Sequence, residues 1–404
     1  MTTLGERIRT LRKERKLTLE ACAGEQMTKG MLSLIENNKA NPSMDSLNYL
    51  AGRLEVEVSE LLEELSGSEL RELLDQTEQL YKSEDSAAYD EAVNLIEPLV
   101  PKLKRGYEAA RLLEIYGRLQ FHLKRPDWQP AVEMASELYG ELNILPRRAA
   151  VGIFKALVLF TEHHYEKALA CLMEEKGEVT SGSGYIDPLT HLDFYTYEVL
   201  MRFAVNDTET ATTLLKEAIA YSKEHRIFYQ IGQLYRVAAY KAVIDGDEVT
   251  LDYYERKILQ YGEFAEDEHA IWYTKLMRIH QLNSMRGDSE GALRKLDELP
   301  EPIPEVDFFR NFFLLERGKA LYGTGKYREA LRLLEKVVIA EEIHHPFDLS
   351  IYYEKDAYAA LCAEQIGDLA YARDLARIAK KNMAQLPDSP YAHFVEETAG
   401  RLDV

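Results

Sequence analysis

From Leu4 onward the apolar positions fall three and four apart, at Leu4, Ile8 and Leu11, with basic side chains filling the opposite face. That spacing is the 3.6-residue period of an amphipathic helix with one stripe turned inward. A second short helix is predicted behind Thr18, whose hydroxyl suits an N-cap, with Leu19, Cys22 and Ala23 facing inward. Thr28 caps a third, "TKGMLSLIEN", which turns Leu32 and Ile35 into the core and leaves Lys29, Gly30, Ser33 and Leu34 outward. Asn38 follows it, and asparagine tolerates the left-handed backbone that stops a helix. Ser43 then caps another helix whose inner stripe is Leu47, Leu50, Ala51 and Leu54. Five short helices are expected before residue 65.

"EELSGSELREL", residues 63–73, breaks the pattern with a Ser-Gly-Ser step, and the predicted domains are residues 1–65 and 66–404. Beyond the break the chain repeats. In "LLERGKALYGTGKYREALRLLEKVV" a small residue, Gly318, is followed by Gly325, Tyr327 and Ala330, which is the tetratricopeptide arrangement of small contact residues, turn glycine and aromatic. Equivalent positions are Ala92, Ala131, Ala168, Ala211, Leu251, Ala292, Ala330 and Ala372, separated by 39, 37, 43, 40, 41, 38 and 42 residues. Eight helix pairs and a terminal capping helix, "SPYAHFVEETAGRLDV", are predicted. One pair cannot bury its own apolar face, whereas stacked pairs bury a continuous one and expose a concave surface.

Composition sharpens this picture. The 404 residues carry a net charge of −20, yet residues 1–41 hold eight Lys and Arg against five Glu, so the head is +3 and the remainder −23. Phosphate repels the acidic body, and only the head suits nucleic acid. Three separated cysteines, Cys22, Cys171 and Cys362, point to free thiols in a reducing cytoplasm. "MTTLGERIRTLRKERK" lacks the apolar run of a signal peptide, and no stretch is apolar enough to span a bilayer, so a cytoplasmic protein without a membrane partner is expected.

Residues 5–62 resemble the Cro/C1-type (XRE) helix-turn-helix domain, whose signature S-x-I-E-x-G-K-x-x-P-S stands here as "SLIENNKANPS", Ser33 to Ser43. The resemblance implies that the third helix enters the major groove, with Thr28, Lys29, Gly30 and Ser33 at base edges. Thr18, Asn37 and Lys39 would lie near the phosphates. Two departures stand out. The turn between the second and third helices has Gln26 where the family has glycine, with Gly24 two residues earlier, so a rebuilt or strained turn is expected. The glycine of the signature tail is Asn38.

Tetratricopeptide arrays bind extended peptides through Asn, Arg and aromatic side chains on the inner helix of each pair. Counted from the repeat alanines, the candidates are Arg111, Arg118, Gln233, Arg236, Tyr240, Gln281, Asn283, Asn311, Lys319 and Tyr322. Signals for other chemistry are weak. "GTGKYREA" lacks the first glycine and the Ser/Thr of a phosphate loop, "TSGSGYIDP" lacks a third glycine, and the pairs His163-His164 and His344-His345 point to different faces. No nucleophile set or metal signature is present in the sequence, so no catalytic residue, metal or cofactor is expected.

A helix-turn-helix head followed by a long tetratricopeptide array resembles the Rap–NprR–PlcR–PrgX family of peptide-responsive quorum-sensing regulators of Gram-positive bacteria, most closely its NprR branch. The resemblance implies an all-α chain: a Cro/C1-type helix-turn-helix domain and a right-handed tetratricopeptide-repeat superhelix. It further implies a homodimer or higher oligomer that binds a palindromic double-stranded DNA operator and is controlled by a short signalling peptide. The rival expectation is a Rap-like scaffold that grips a phosphorelay response regulator, with DNA binding secondary.

Overall fold

Thr18, Thr28 and Ser43 each start a helix, their side-chain oxygens accepting from the N–H groups of Ala21, Met31 and Ser46. The resulting elements are α1 (Leu4–Glu14), α2 (Leu19–Ala23), α3 (Lys29–Glu36) and α4 (Met44–Leu54) in a computed structural model. It describes residues 3–58, 61, 67–83, 85–181, 184–300, 303 and 306–404. Ile8, Cys22, Ala23, Leu32, Ile35, Leu47, Leu50, Ala51 and Leu54 form one core, the same inward stripes that the periodicity assigns. Asn38 takes the left-handed conformation at φ +56° and ties α3 to the start of α1: its Nδ2 donates to Thr3 Oγ1 and its Oδ1 accepts from the Gly5 N–H. The fifth expected helix and the break at 65/66 involve residues 59, 60 and 62–66, outside the described residues.

The turn takes one of its two expected forms, and one expectation for the head changes. The turn is rebuilt around Gly24, at φ +54°, where a Cβ would lie 2.1 Å from the Tyr49 hydroxyl; Gln26 needs no left-handed backbone. The basic residues of α1 are not one outward face. Arg12 is buried and forms a bidentate pair with buried Glu36 of α3, at 2.6 and 2.9 Å. Arg7 donates to the Leu61 carbonyl, Arg15 to that of Glu55, and Arg9 to Asn37 Oδ1. A buried carboxylate stripped of its partner costs about 3–5 kcal/mol. Arg12→Ala is therefore expected to open the α1–α3 contact, read as lost amide hydrogen-exchange protection in those two helices; unchanged protection would show that Glu36 re-pairs with Arg9, 3.5 Å away.

The chain divides into two compact units, Met1–Val151 and Gly152–Val404. Beyond the head, the described residues form eight successive pairs of helices and a last helix, and contain no strand. The pairs begin at Gly67–Lys82 with Ser86–Ile96 and end at Pro346–Ile366 with Leu369–Met383, followed by Pro390–Arg401. All eight repeat positions, from Ala92 to Ala372, are buried, each in the second helix of a pair. Gly318 shows why small residues sit there: a Cβ would lie 2.7 Å from Leu334 of the facing helix. Among the described residues no helix is long and apolar enough to cross a membrane.

Candidate functional site

In the head, α3 presents the face that the sequence assigns to base edges. Thr28, Lys29 and Gly30 are exposed at its start and Ser33 is half-buried one turn on. Thr18, Asn37 and Lys39 are exposed beside it. Thr28 is tied down as the cap of α3, and Asn37 as the acceptor for Arg9, so both are held in place. With Arg7, Arg9, Arg12 and Arg15 engaged internally, the exposed lysines of this region are Lys13, Lys16, Lys29 and Lys39.

In the second unit the first helices of six consecutive pairs border a cavity of about 720 Å³. Residues from Leu157, Tyr197, Gln233, Tyr273, Phe308 and Phe347 onward each represent one of them. The size lies in the roughly 300–1,000 Å³ range of small-ligand clefts, mostly apolar with a few polar groups. Tyr240 packs edge-on against Phe347 with ring centroids 3.8 Å apart, and Phe347 meets Tyr391 of the last helix at 5.6 Å. Arg236 lies over the Tyr273 ring, 5.7 Å from its centroid, and its Nε is buried with no hydrogen-bond partner among the described residues.

The segment "HHPFD", residues 344–348, closes one wall. His345 Nδ1 accepts from the Phe347 N–H, capping a helix that Pro346 opens, so Nε2 carries the proton and donates to the Leu200 carbonyl. Burial pushes this imidazole down to about 4, so it stays neutral. Its partner in sequence, His344, faces the His163 ring at 5.9 Å.

Of the ten peptide-contact candidates, the cavity gathers three, Gln233, Arg236 and Tyr240. The other seven do not line it, and most are bound within the fold. Arg111 and Arg118 both pair with buried Glu114, in the first unit. Gln281 donates to Glu248, Asn311 accepts from the Val338 N–H, and Tyr322 packs on Tyr327 and Tyr358. Asn283 and Lys319 belong to a buried network: Asn283 donates to Glu316, Lys319 pairs with Glu316 at 3.2 Å and Glu354 at 2.7 Å, and His280 bridges Glu316 to the Tyr391 hydroxyl. A π turn at Gln281–Met285 rotates Asn283 toward that network, a shift that counting along an α-helix misses.

Tyr273, Phe347 and Asp348 also line the cavity, though none is among the sequence candidates. For Phe347 and Asp348 the available signal is the aromatic and acidic step directly behind the His344-His345 pair.

No family model matches the chain. A curated relative, the immunity repressor protein of Bacillus phage phi105, is 38% identical over 63 residues, 15% of this chain and 44% of the repressor. The match thus spans less than half of that relative. Among solved structures, PlcR of Bacillus thuringiensis in complex with the peptide PapR7 and DNA is 17% identical, with 66% of this chain and 96% of that one covered and a TM-score of 0.36. ComR of Streptococcus vestibularis with its cognate signalling peptide XIP is 16% identical over 69% of this chain and 98% of that one, at 0.37. The pheromone receptor Rgg2 of Streptococcus dysgalactiae is 16% identical over 68% and 98%, at 0.34.

Proposed function

We propose that this chain is a transcriptional regulator of the Rap–NprR–PlcR–PrgX type. Its α3 helix reads double-stranded DNA, and a short signalling peptide bound in the cavity of the second unit controls that reading. The supporting observation is the pairing, in one acidic chain, of an exposed cap-anchored α3 with an aromatic cavity whose Arg236 has an unused donor. Gln233, Arg236 and Tyr240 are the proposed peptide contacts, with the Arg236 guanidinium meeting a peptide carbonyl or carboxylate. Two copies acting in the cytoplasm would place paired α3 helices on a palindromic operator.

Affinity selection of synthetic random heptapeptides on the full-length protein tests the sensor half. Retention at micromolar affinity, lost when Val237→Trp fills the cavity, is expected; retention unaffected by that substitution would place the peptide elsewhere. For the head, the salt dependence follows from the four exposed lysines. Each phosphate neutralised contributes about −0.9 to the slope of log K against log salt, so a dimer using all of them would reach roughly −7. A titration of operator binding between low and moderate salt that stays flat would remove those lysines from the interface.

A further inference from the structure

The cavity wall holds an acid that its neighbours leave alone. Asp348 stands half-buried in the first turn of the helix Pro346–Ile366 and lines the cavity. Among the described residues its carboxyl has no hydrogen-bond or ion-pair partner, and burial alone pushes it up to about 6. The cations that share the cavity are directed elsewhere: Lys241 pairs with Asp245, and Arg236 lies over Tyr273. Asp348 shares the cavity lining with Tyr240, Tyr273 and Phe347, and its charge reaches four tyrosine hydroxyls. Burial first, and then its charge, holds the hydroxyls of Tyr273 and Tyr352 above the ordinary tyrosine range. Tyr240 and Tyr391 are also raised, by burial foremost, with Asp348 among the contributing charges.

An acid in a helix's first turn ordinarily complements the helix dipole from the surface or accepts from a first-turn amide. Asp348 has no such amide bond, and it faces the cavity. An unpaired carboxylate in a cavity lined by aromatic rings suits a cation, which can gain an ion pair and a ring face there. We propose that Asp348 receives a positively charged group of the ligand, an ammonium or guanidinium, so that this site selects its peptide for that charge. The proposal rests on the peptide-sensing reading above and adds the chemistry of one contact. The group is either the peptide's N-terminal amine or a basic side chain.

Degenerate heptapeptide pools presented to the full-length protein separate the possibilities. One pool is N-acetylated and free of Lys and Arg, one is N-acetylated with a single Lys, and one has a free amine but no Lys or Arg. Retention of a cationic pool at least tenfold above the cation-free pool is expected, and which cationic pool is retained identifies the source of the charge. Asp348→Asn, which removes a charge that burial disfavours and so should not lower stability, is expected to abolish the preference.

Binding of a retained peptide should also strengthen up to about tenfold per pH unit as pH rises toward 6, then level, because a proton must leave Asp348. The other titratable groups facing the cavity are His269, His344, His345, Glu342, Asp388, Asp245, Lys241 and the tyrosines. All of them persist in Asp348→Asn, so a slope that survives there is theirs and overturns the proposal. Equal retention of all pools, or a preference unchanged in Asp348→Asn, overturns it while leaving the sensor reading intact. Retention of no pool removes the sensor reading and the proposal together.

Discussion

Replacing Lys319 with methionine is expected to lower the unfolding midpoint of the full chain by on the order of 10 °C. The ammonium is buried between Glu316 and Glu354, themselves buried, and its charged form is stabilised by both. Glu316, although burial raises it, is brought down to about 2 by Lys319, then by His280 and the Asn283 amide. Taking away the cation leaves buried Glu354 without its ion-pair partner and Glu316 with only His280 and Asn283, which costs about 3–5 kcal/mol. The triple variant Glu316→Met, Lys319→Met, Glu354→Met removes the stranded charges along with the cation, so it should unfold at a higher temperature than the single variant. Differential scanning calorimetry on the three proteins reads both effects. A Lys319→Met midpoint within 2 °C of the parent, together with weakened peptide binding, would return Lys319 to the ligand surface.

The second large effect belongs to α3. Lys29→Ala with Ser33→Ala is expected to weaken binding to a duplex selected from random sequence by on the order of 100-fold or more, since each base or phosphate contact is worth about 1–3 kcal/mol. The head should stay folded. Lys29 is exposed, Ser33 only half-buried, and neither supplies the cap of α3, which is Thr28. Fluorescence anisotropy of the labelled duplex measures the loss, and circular dichroism checks the helices. An unchanged affinity would move the reading surface away from α3. Peptide retention by the same double variant should equal that of the parent.

Much of the fold was legible because short-range signals carried it. Thr18, Thr28 and Ser43 cap where a side-chain oxygen precedes an apolar stripe, and the eight repeat positions are buried because paired helices need a small or apolar residue at their crossing. What escaped depends on partners distant in sequence. Arg12 reads as one more surface cation until Glu36, 24 positions away, is brought beside it. Asn283, Lys319 and Arg111 have the residue types of peptide clamps, but acids from neighbouring helices claim them. Of the ten inner-helix candidates, Gln233, Arg236 and Tyr240 line the cavity. The acid and rings opposite them come from residues 344–348, before and within the first turn of a helix, where repeat counting assigns no inward face.

The central claim is that one chain couples a ligand in the second unit to the grip of its head on DNA. It is tested most directly by titrating a selected duplex with full-length protein, with and without a saturating peptide retained from the random pools. A change in duplex affinity of about 5–150-fold in one direction, the span of ordinary allosteric coupling, is expected, with no change in Val237→Trp. Identical duplex affinities with and without bound peptide would contradict it.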